Sequence, residues 1–149
     1  MKSIKEVVKE IIEDFERLPD IDAKYAYLFQ LGDHLPVMDG SLKTDDNLVS
    51  GCQSSLWFHL RQDSGRIYLI ADSDSLVIKG IAALLVRLIN GREADEIQTL
   101  SMDFIDQIKI WKLASNRNNG LMAMLKQIKK DAQEISLDKN DGEKDSQSS

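Results

Sequence analysis

The cysteine at position 52 is the residue whose type and surroundings most favour chemistry, and the chain contains no other cysteine. It lies in the stretch NLVSGCQSSLW, residues 47–57, directly between Gly51 and Gln53. Burial as an inert thiol is the usual fate of a free cysteine, which then belongs in an apolar run. The polar, glycine-containing setting instead predicts a loop that presents the sulfur. As a thiolate, this sulfur could attack carbon or another sulfur and could carry a sulfur atom.

Ionisation of this thiol needs help from its surroundings. A thiol with the ordinary pKa of about 8.5 is only a few per cent ionised at neutral pH. A cation, a helix N-terminus or a partner protein could stabilise the thiolate, and the sequence leaves all three open. Arg117 is the candidate cation, because it is predicted in the first turn of the last helix, where a positive charge is unfavourable unless an anion is near. Asp72 and Asp74 are explained by their position before a helix, where anions are stabilising.

The other residue types that could do chemistry are sparse. His34 or His59 could serve as the base of a cysteine-dependent hydrolase, but each is better explained as a structural or surface residue, and no local hydrolase signature is present. One cysteine, two histidines and scattered carboxylates show no ligand spacing for zinc. An iron–sulfur cluster usually needs several thiolates from one chain. We therefore expect no metal site and no bound cofactor.

The elements that must position Cys52 follow from the spacing of the apolar residues. Helical periodicity predicts a first helix with a capping box of Ser3 and Glu6, and a second helix that Asp22 can cap and Gly32 stops. It also predicts a buried helix that starts near residue 75 and can be capped by Asp72, Ser73 or Asp74. The predicted helices cover residues 4–17, 22–32, 75–90, 94–98 and 103–108, with a last helix whose apolar residues run from 121 to 135.

Between these helices the period changes to two. SLWFHLR and RIYLIAD alternate around the turn QDSG, which predicts an antiparallel hairpin. A third strand could come from residues 37–38 or 48–49. This order predicts an α+β fold, with a small antiparallel sheet of about three strands flanked by helices. We expect one domain over residues 1–136 and a disordered tail over residues 137–149, which have too few apolar residues to pack.

Composition excludes several classes of partner. The formal net charge of −6 and the pI near 4.9 argue against nucleic acid and anionic membranes, which favour basic faces. The amino-terminal stretch has charges throughout, unlike a signal peptide, and the longest apolar run, residues 81–86, is too short to cross a bilayer. A single cysteine cannot form an internal disulfide, which favours a reducing, cytoplasmic location.

Four segments of the chain resemble the SufE-like family of cysteine desulfuration proteins. They lie within residues 24–132 and read KYAYLFQLGDHLP, NLVSGCQSSLWFHLRQDSG, ADSDSLVIKGIAALL and SNRNNGLMAMLKQIK. GCQS followed at this spacing by DSD and KG is a specific combination, although each piece alone is weak. The resemblance implies a fold like that of the SufE/NifU-type iron–sulfur scaffold proteins.

The resemblance also implies a function. A pyridoxal-phosphate-dependent cysteine desulfurase of the SufS type holds sulfur from free cysteine as a persulfide. The SufE-like protein accepts that sulfur on the thiol that matches Cys52, stimulates desulfuration and passes the sulfur to a SufBCD-like scaffold complex. An accessory protein of this kind would have no turnover without its desulfurase and no cofactor of its own.

Roles for five further residues are implied in the same way. Gly51 and Gln53 would shape the acceptor loop, and Arg117 would stabilise the loop or the anionic sulfur. Arg117 matches the arginine of an S-R-x-x-G motif, although Asn116 stands in place of its serine. Asp74 and Lys79 match positions near the partner-facing surface.

Two other functions stay open beside this one. The first is the cysteine-dependent hydrolase, which would act without a partner protein. The second is a regulatory module that binds a desulfurase without carrying sulfur. The apolar surface that docking requires could also support a weak homodimer.

Overall fold

The computed structural model describes residues 1–49, 55–109 and 121–148, with the backbone alone at residues 121 and 138–148. The described helices and strands confirm the α+β prediction. Two short 3₁₀ turns, Gly40–Leu42 and Asp45–Asn47, lie in the connection before the hairpin. The helices are α1 (Ile4–Glu16), α2 (Ile21–Asp33), α3 (Leu76–Ile89), α4 (Ala94–Ile97), α5 (Asp103–Gln107) and α6 (Leu121–Ser148), and the strands are β1 (Leu56–Asp63) and β2 (Arg66–Ser73).

The helix starts confirm one predicted cap and correct two. The Ser3 hydroxyl accepts the Glu6 N–H at 3.1 Å, as the capping box predicts. The cap of α2 is Asp20 rather than Asp22. Asp20 has the extended backbone that a cap requires, and its carboxylate accepts the Ala23 N–H at 2.8 Å. The cap of α3 is Ser75, whose hydroxyl accepts the Ile78 N–H, and not one of the three residues before it.

The hairpin forms where the alternation predicts it. β1 and β2 pair antiparallel through eight residues of each strand, from Leu56 opposite Ser73 to Asp63 opposite Arg66. The turn residues Ser64 and Gly65 have φ values of 54° and 80°. This is the left-handed conformation that a two-residue type I′ turn requires.

A third strand does not form in the described residues, so the expected number of about three strands is corrected to two. Leu48 makes a single bridge to Trp57, and the Val49 N–H donates to the Leu56 carbonyl at 2.8 Å. The 3₁₀ turn Asp45–Asn47 directly precedes this bridge and prevents a longer extended segment.

The core lies between the sheet and the helices, and its closest helix contact is the crossing of α2 and α3. A Cβ atom on Gly80 would lie 2.5 Å from the Leu28 carbonyl oxygen, so only glycine fits this position. Gly32 does not end α2, which continues to Asp33; it faces the Gly80 backbone instead. The two glycines therefore set the distance between these helices.

The last helix packs one stripe of apolar residues on the core. Met124, Leu125, Ile128 and Ala132 are at most 4% exposed. The backbone helix continues to Ser148, through most of the segment for which the sequence predicts a disordered tail. The predicted boundary between the domain and the tail, after residue 136, stays a prediction. Across the described residues, no helix combines the length and the apolar character needed to cross a membrane.

Candidate functional site

The segment that contains Cys52 is framed by two anchored ends. Cys52, Gly51 and Gln53 themselves lie in residues 50–54, outside the described part of the chain, as does Arg117. At the first end, Val49 is 8% exposed, and its N–H donates to the Leu56 carbonyl. This hydrogen bond joins the residue before the segment to the first residue of β1, so the first end is fixed to the start of that strand.

Three hydrogen bonds fix the second end at Ser55. Its carbonyl accepts from the Ser73 hydroxyl at 2.7 Å and from the Asp74 N–H at 3.2 Å. Its N–H donates to Asp74 Oδ1 at 3.0 Å. Asp74 therefore bonds Ser55 from both its backbone and its carboxylate, a positioning role that adds to the partner-facing role expected for it. That partner-facing role stays a prediction.

Removing the Asp74 carboxylate should loosen this end of the segment. We expect amide hydrogen exchange at Ser55 to accelerate about tenfold in Asp74→Ala, since a hydrogen bond to a charged group contributes about 1.5 kcal/mol or more. Asp74→Asn should retain most of the protection because its amide oxygen can still accept. The Leu69 N–H, which donates to Asn90 Oδ1 at 2.7 Å, is the internal control and should not change. Unchanged exchange at Ser55 in Asp74→Ala would contradict the anchoring role.

Two lysines meet one carboxylate beside this anchored end. Lys43 Nζ lies 2.7 Å from Asp72 Oδ2, and Lys79 Nζ lies 3.6 Å from Asp72 Oδ1. Lys43 also lies over the Trp57 ring, 5.3 Å from its centroid. The three charges sum to about one positive charge next to Ser73, and the Asp74 carboxylate that accepts the Ser55 N–H balances it, so this strand end is close to neutral overall. Lys79 is thus directed at Asp72, and the partner-facing position that the resemblance implies for it stays a prediction.

The ion pairs determine the ionisation of Asp72. Partial burial would raise the pKa of this carboxyl, but the hydrogen bonds from Lys43 and from the Ser73 N–H, together with the charges of Lys43 and Lys79, lower it below its ordinary value. Asp72 is therefore ionised at neutral pH.

This lowered pKa predicts a pH-dependent contribution to stability. Because the pKa is lower in the folded chain than in the unfolded chain, the stabilisation is complete above about pH 4 and is lost as the pH falls through the folded-state value. We expect Asp72→Asn to lower the free energy of unfolding by on the order of 1 kcal/mol at pH 7. The difference from the wild type should shrink between pH 5 and pH 3.

Urea unfolding of both proteins at several pH values measures this contribution. Glu134→Gln removes a carboxylate that is exposed in the middle of α6, away from the helix ends, and serves as the matched control. A difference between the wild type and Asp72→Asn that stays constant from pH 7 to pH 3 would exclude a stabilising ionised Asp72.

The two histidines are placed in different elements. His34 follows the end of α2, where its Nδ1–H donates to the Gln30 carbonyl at 2.7 Å. His59 lies on β1 opposite Ile70. Within the described residues, no three histidine, cysteine, aspartate or glutamate side chains come together as metal ligands.

Lys43 and Ser73 are not recognisable as site residues from the sequence. Lys43 lies in the connection GSLKTDDN, which has no periodicity that would place it beside β2. Ser73 suggests only a helix cap, whereas its hydroxyl bonds the Ser55 carbonyl across the sheet. Both contacts arise from tertiary packing and leave no local pattern.

Comparison with known proteins identifies the family. The SufE profile, described as the Fe-S metabolism associated domain, matches residues 9–132. SufE-like protein 1, chloroplastic/mitochondrial, from Arabidopsis thaliana is 38% identical over 143 residues, which cover 95% of this chain but only 38% of that protein. An uncharacterized SufE-like protein from Rhizobium meliloti is 32% identical over 130 residues, which cover 83% of this chain and 93% of that protein.

The fold is also found in a solved structure. The solution structure of a hypothetical protein from Thermus thermophilus matches with a TM-score of 0.70 over 87% of this chain and 95% of that one, at 19% identity. The chain therefore belongs to the SufE family, the Fe-S metabolism associated domain, which supports a sulfur-related accessory role in Fe–S metabolism.

Proposed function

We propose that the chain is a sulfur acceptor and carrier, with Cys52 as the residue that receives persulfide sulfur from a cysteine desulfurase. The observation that carries the proposal is the anchoring of both ends of residues 50–54, at Val49 and at Ser55. A residue spans at most about 3.6 Å, so chain length alone keeps the Cys52 Cα within ~11 Å of either anchor. The lone thiol is thus tied to one end of a rigid hairpin.

The transfer needs one nucleophile and no metal. The Cys52 thiolate attacks the terminal sulfur of the donor's persulfide and forms a new S–S bond to it. The donor's S–S bond breaks, its cysteine leaves as a thiolate, and the proton on the transferred sulfur stays with it. A persulfide on Cys52 is the product, without any external oxidant or reductant. A second exchange of the same kind passes the sulfur to an iron–sulfur scaffold complex of the SufBCD type.

Two lysines near the anchored end support this chemistry. Lys43 and Lys79 balance the carboxylates of Asp72 and Asp74, and we propose them as cations for the thiolate, since a cation beside a thiol favours its ionised form. Arg117, which matches the arginine of the family's S-R-x-x-G motif, is proposed as a further cation for the anionic sulfur. Gly51 and Gln53 are proposed to shape the loop.

Docking of the desulfurase is supported by exposed apolar residues on both sides of the segment. Leu48, next to the first anchor, is 39% exposed, and Leu76, two residues after Asp74, is 58% exposed. Side chains this apolar and this accessible suit a protein partner. We propose a pyridoxal-phosphate-dependent desulfurase of the SufS type as that partner, and a cytoplasmic location. The same surface could support a weak homodimer.

Intact-mass spectrometry after incubation with a cognate desulfurase and cysteine tests the proposal. We expect a gain of about 32 Da on Cys52 that reductant reverses. No such gain, together with an altered desulfurase rate, would assign the chain to the regulatory binding modules. Activity without the desulfurase that disappears in His34→Asn or His59→Asn would assign it to the cysteine-dependent hydrolases.

A further inference from the structure

The two outer edges of the sheet are covered to different extents. On β2, the Ile67 carbonyl accepts from the Gly91 N–H at 2.9 Å, and the Ile67 N–H donates to the Arg92 carbonyl at 2.8 Å. The next outward amide, that of Leu69, donates to Asn90 Oδ1. The segment after α3 therefore pairs with this edge and protects it.

The edge of β1 is protected only at its start. Leu56 accepts the Val49 N–H, and the bridge of Leu48 to Trp57 extends this cover as far as Phe58. In the register of the hairpin, Gln62 and Leu60 lie opposite Ile67 and Leu69, so their backbone groups also point away from the partner strand. Across the described part of the chain no backbone hydrogen bond reaches Leu60 or Gln62 from that side. Two consecutive outward positions therefore lack a strand partner.

A groove of about 570 Å³ lies along this edge. One wall is the segment Asp45–Val49, the other is the outer stripe of α6 from Ala123 to Ile135, and the floor includes Phe58 and Leu60. Both floor residues are about 5–6% exposed, so the free strand edge lies at the bottom of the groove rather than on the outer surface. β1 lines the groove from Phe58 to Leu60, and an extended segment of about four residues, at about 3.3 Å per residue, would also reach Gln62 just beyond it.

Negative charge surrounds this groove. Asp45 and Asp46 lie on one wall and Asp131 and Glu134 on the other, while no lysine or arginine of the described ranges lines it. None of these four carboxylates forms a salt bridge with another described residue. A second copy of the chain would bring its own four carboxylates to the same edge, so like-charge repulsion disfavours it as the occupant.

We propose that this groove binds an extended segment of a partner protein in which basic and apolar side chains alternate, and that the segment adds to β1 as a third strand. Main-chain hydrogen bonds to Leu60 and Gln62 would supply affinity, and the carboxylates would select basic side chains. The groove shares Leu48 and Val49 with the first anchored end, but it uses neither Cys52 nor the anchor at Ser55. Its occupancy can be measured in the full chain without any desulfurase.

Synthetic peptides test the proposed mode of binding. We expect the capped heptapeptide KVKVKVK to shift the backbone ¹H–¹⁵N signals of Leu60 and Gln62, and EVEVEVE to leave them in place. Two further versions of KVKVKVK carry N-methyl groups on the valines or on the inner lysines. Because alternate amides of a strand face the same neighbour, one version should bind about tenfold or more weakly and the other should retain binding.

Variants of the chain test the role of the carboxylates. Asp46→Asn combined with Glu134→Gln neutralises one charge on each wall and should weaken KVKVKVK binding roughly five- to tenfold at low salt. Glu16→Gln combined with Asp22→Asn makes the same change in net charge outside the groove and should have no effect.

Three results would overturn the proposal. The first is equal binding of both N-methylated peptides, which would exclude strand addition. The second is equal binding of the acidic peptide. The third is a concentration-dependent dimer in analytical ultracentrifugation that protects Leu60 and Gln62 from hydrogen exchange, which would assign the edge to a second copy of the chain.

Discussion

In the presence of Cys52→Ser, a cognate desulfurase is expected to release sulfide at the same rate as the desulfurase alone. A serine hydroxyl is not ionised near neutral pH and cannot hold a sulfane sulfur, so the acceptor step is lost entirely rather than slowed. Under the proposed function, the wild-type chain should stimulate release, because it would remove the persulfide from the desulfurase and free the active-site cysteine for another turnover. Sulfide release with cysteine and reductant, measured at several ratios of the two proteins, gives the comparison.

Binding must be measured beside activity to interpret this variant. Cys52→Ser should bind the desulfurase with an affinity close to that of the wild type, since the anchored ends at Val49 and Ser55 are unchanged. His34→Asn combined with His59→Asn is the matched control and should stimulate normally. Equal stimulation by Cys52→Ser and the wild type would reject the carrier role and favour a regulatory module.

Gly80→Ala is expected to lower the free energy of unfolding by about 2 kcal/mol, the net of an overpacking cost and a gain in helix propensity. The added Cβ would lie 2.5 Å from the Leu28 carbonyl oxygen and 3.0 Å from the Leu28 Cβ, so α2 and α3 must separate. Overpacking of this kind costs about 3 kcal/mol, and the better helix propensity of alanine offsets about 1 kcal/mol of it. Thermal unfolding should show a decrease in Tm of about 4–8 °C for a chain of this size.

A second glycine supplies the control for this variant. Gly40 has no atom within 4 Å of its ideal Cβ position. Gly40→Ala should therefore change stability by no more than about 1 kcal/mol, chiefly through the unfolded chain. If Gly80→Ala were as stable as Gly40→Ala, the crossing of α2 and α3 would not be limited by the backbone contact at Gly80.

The hairpin and most helices can be predicted from the sequence because their signals are local. Alternating apolar residues and the Ser64–Gly65 turn determine the hairpin within one short stretch. The caps of α2 and α3 are less predictable, because several neighbouring residues, such as Asp20 and Asp22, have side chains that can cap. The backbone conformation selects among them, and composition does not encode it.

The sequence suggests the chemistry of the candidate site, which stays a prediction, but not the contacts that surround it. Cys52 stands out by its residue type and its polar setting, and Asp74 by the family pattern. The contact of Lys43 with Asp72 joins residues far apart in the chain and depends on how the connection before β1 folds back over the sheet. No sequence period reports such a contact, which is why the position of Lys43 near Ser55 becomes visible only in three dimensions.

The Ser73 hydroxyl links three parts of the molecule through two hydrogen bonds. It donates to the Ser55 carbonyl at 2.7 Å and accepts from the N–H of Ser75, the cap of α3, at 3.1 Å. Together with the Val49 hydrogen bond, it fixes the residues on either side of residues 50–54. This segment could therefore be exchanged without changing the residues that hold its two ends. Loop grafting could therefore replace this segment with those of other members of the SufE family and compare the effects on a desulfurase with one unchanged framework.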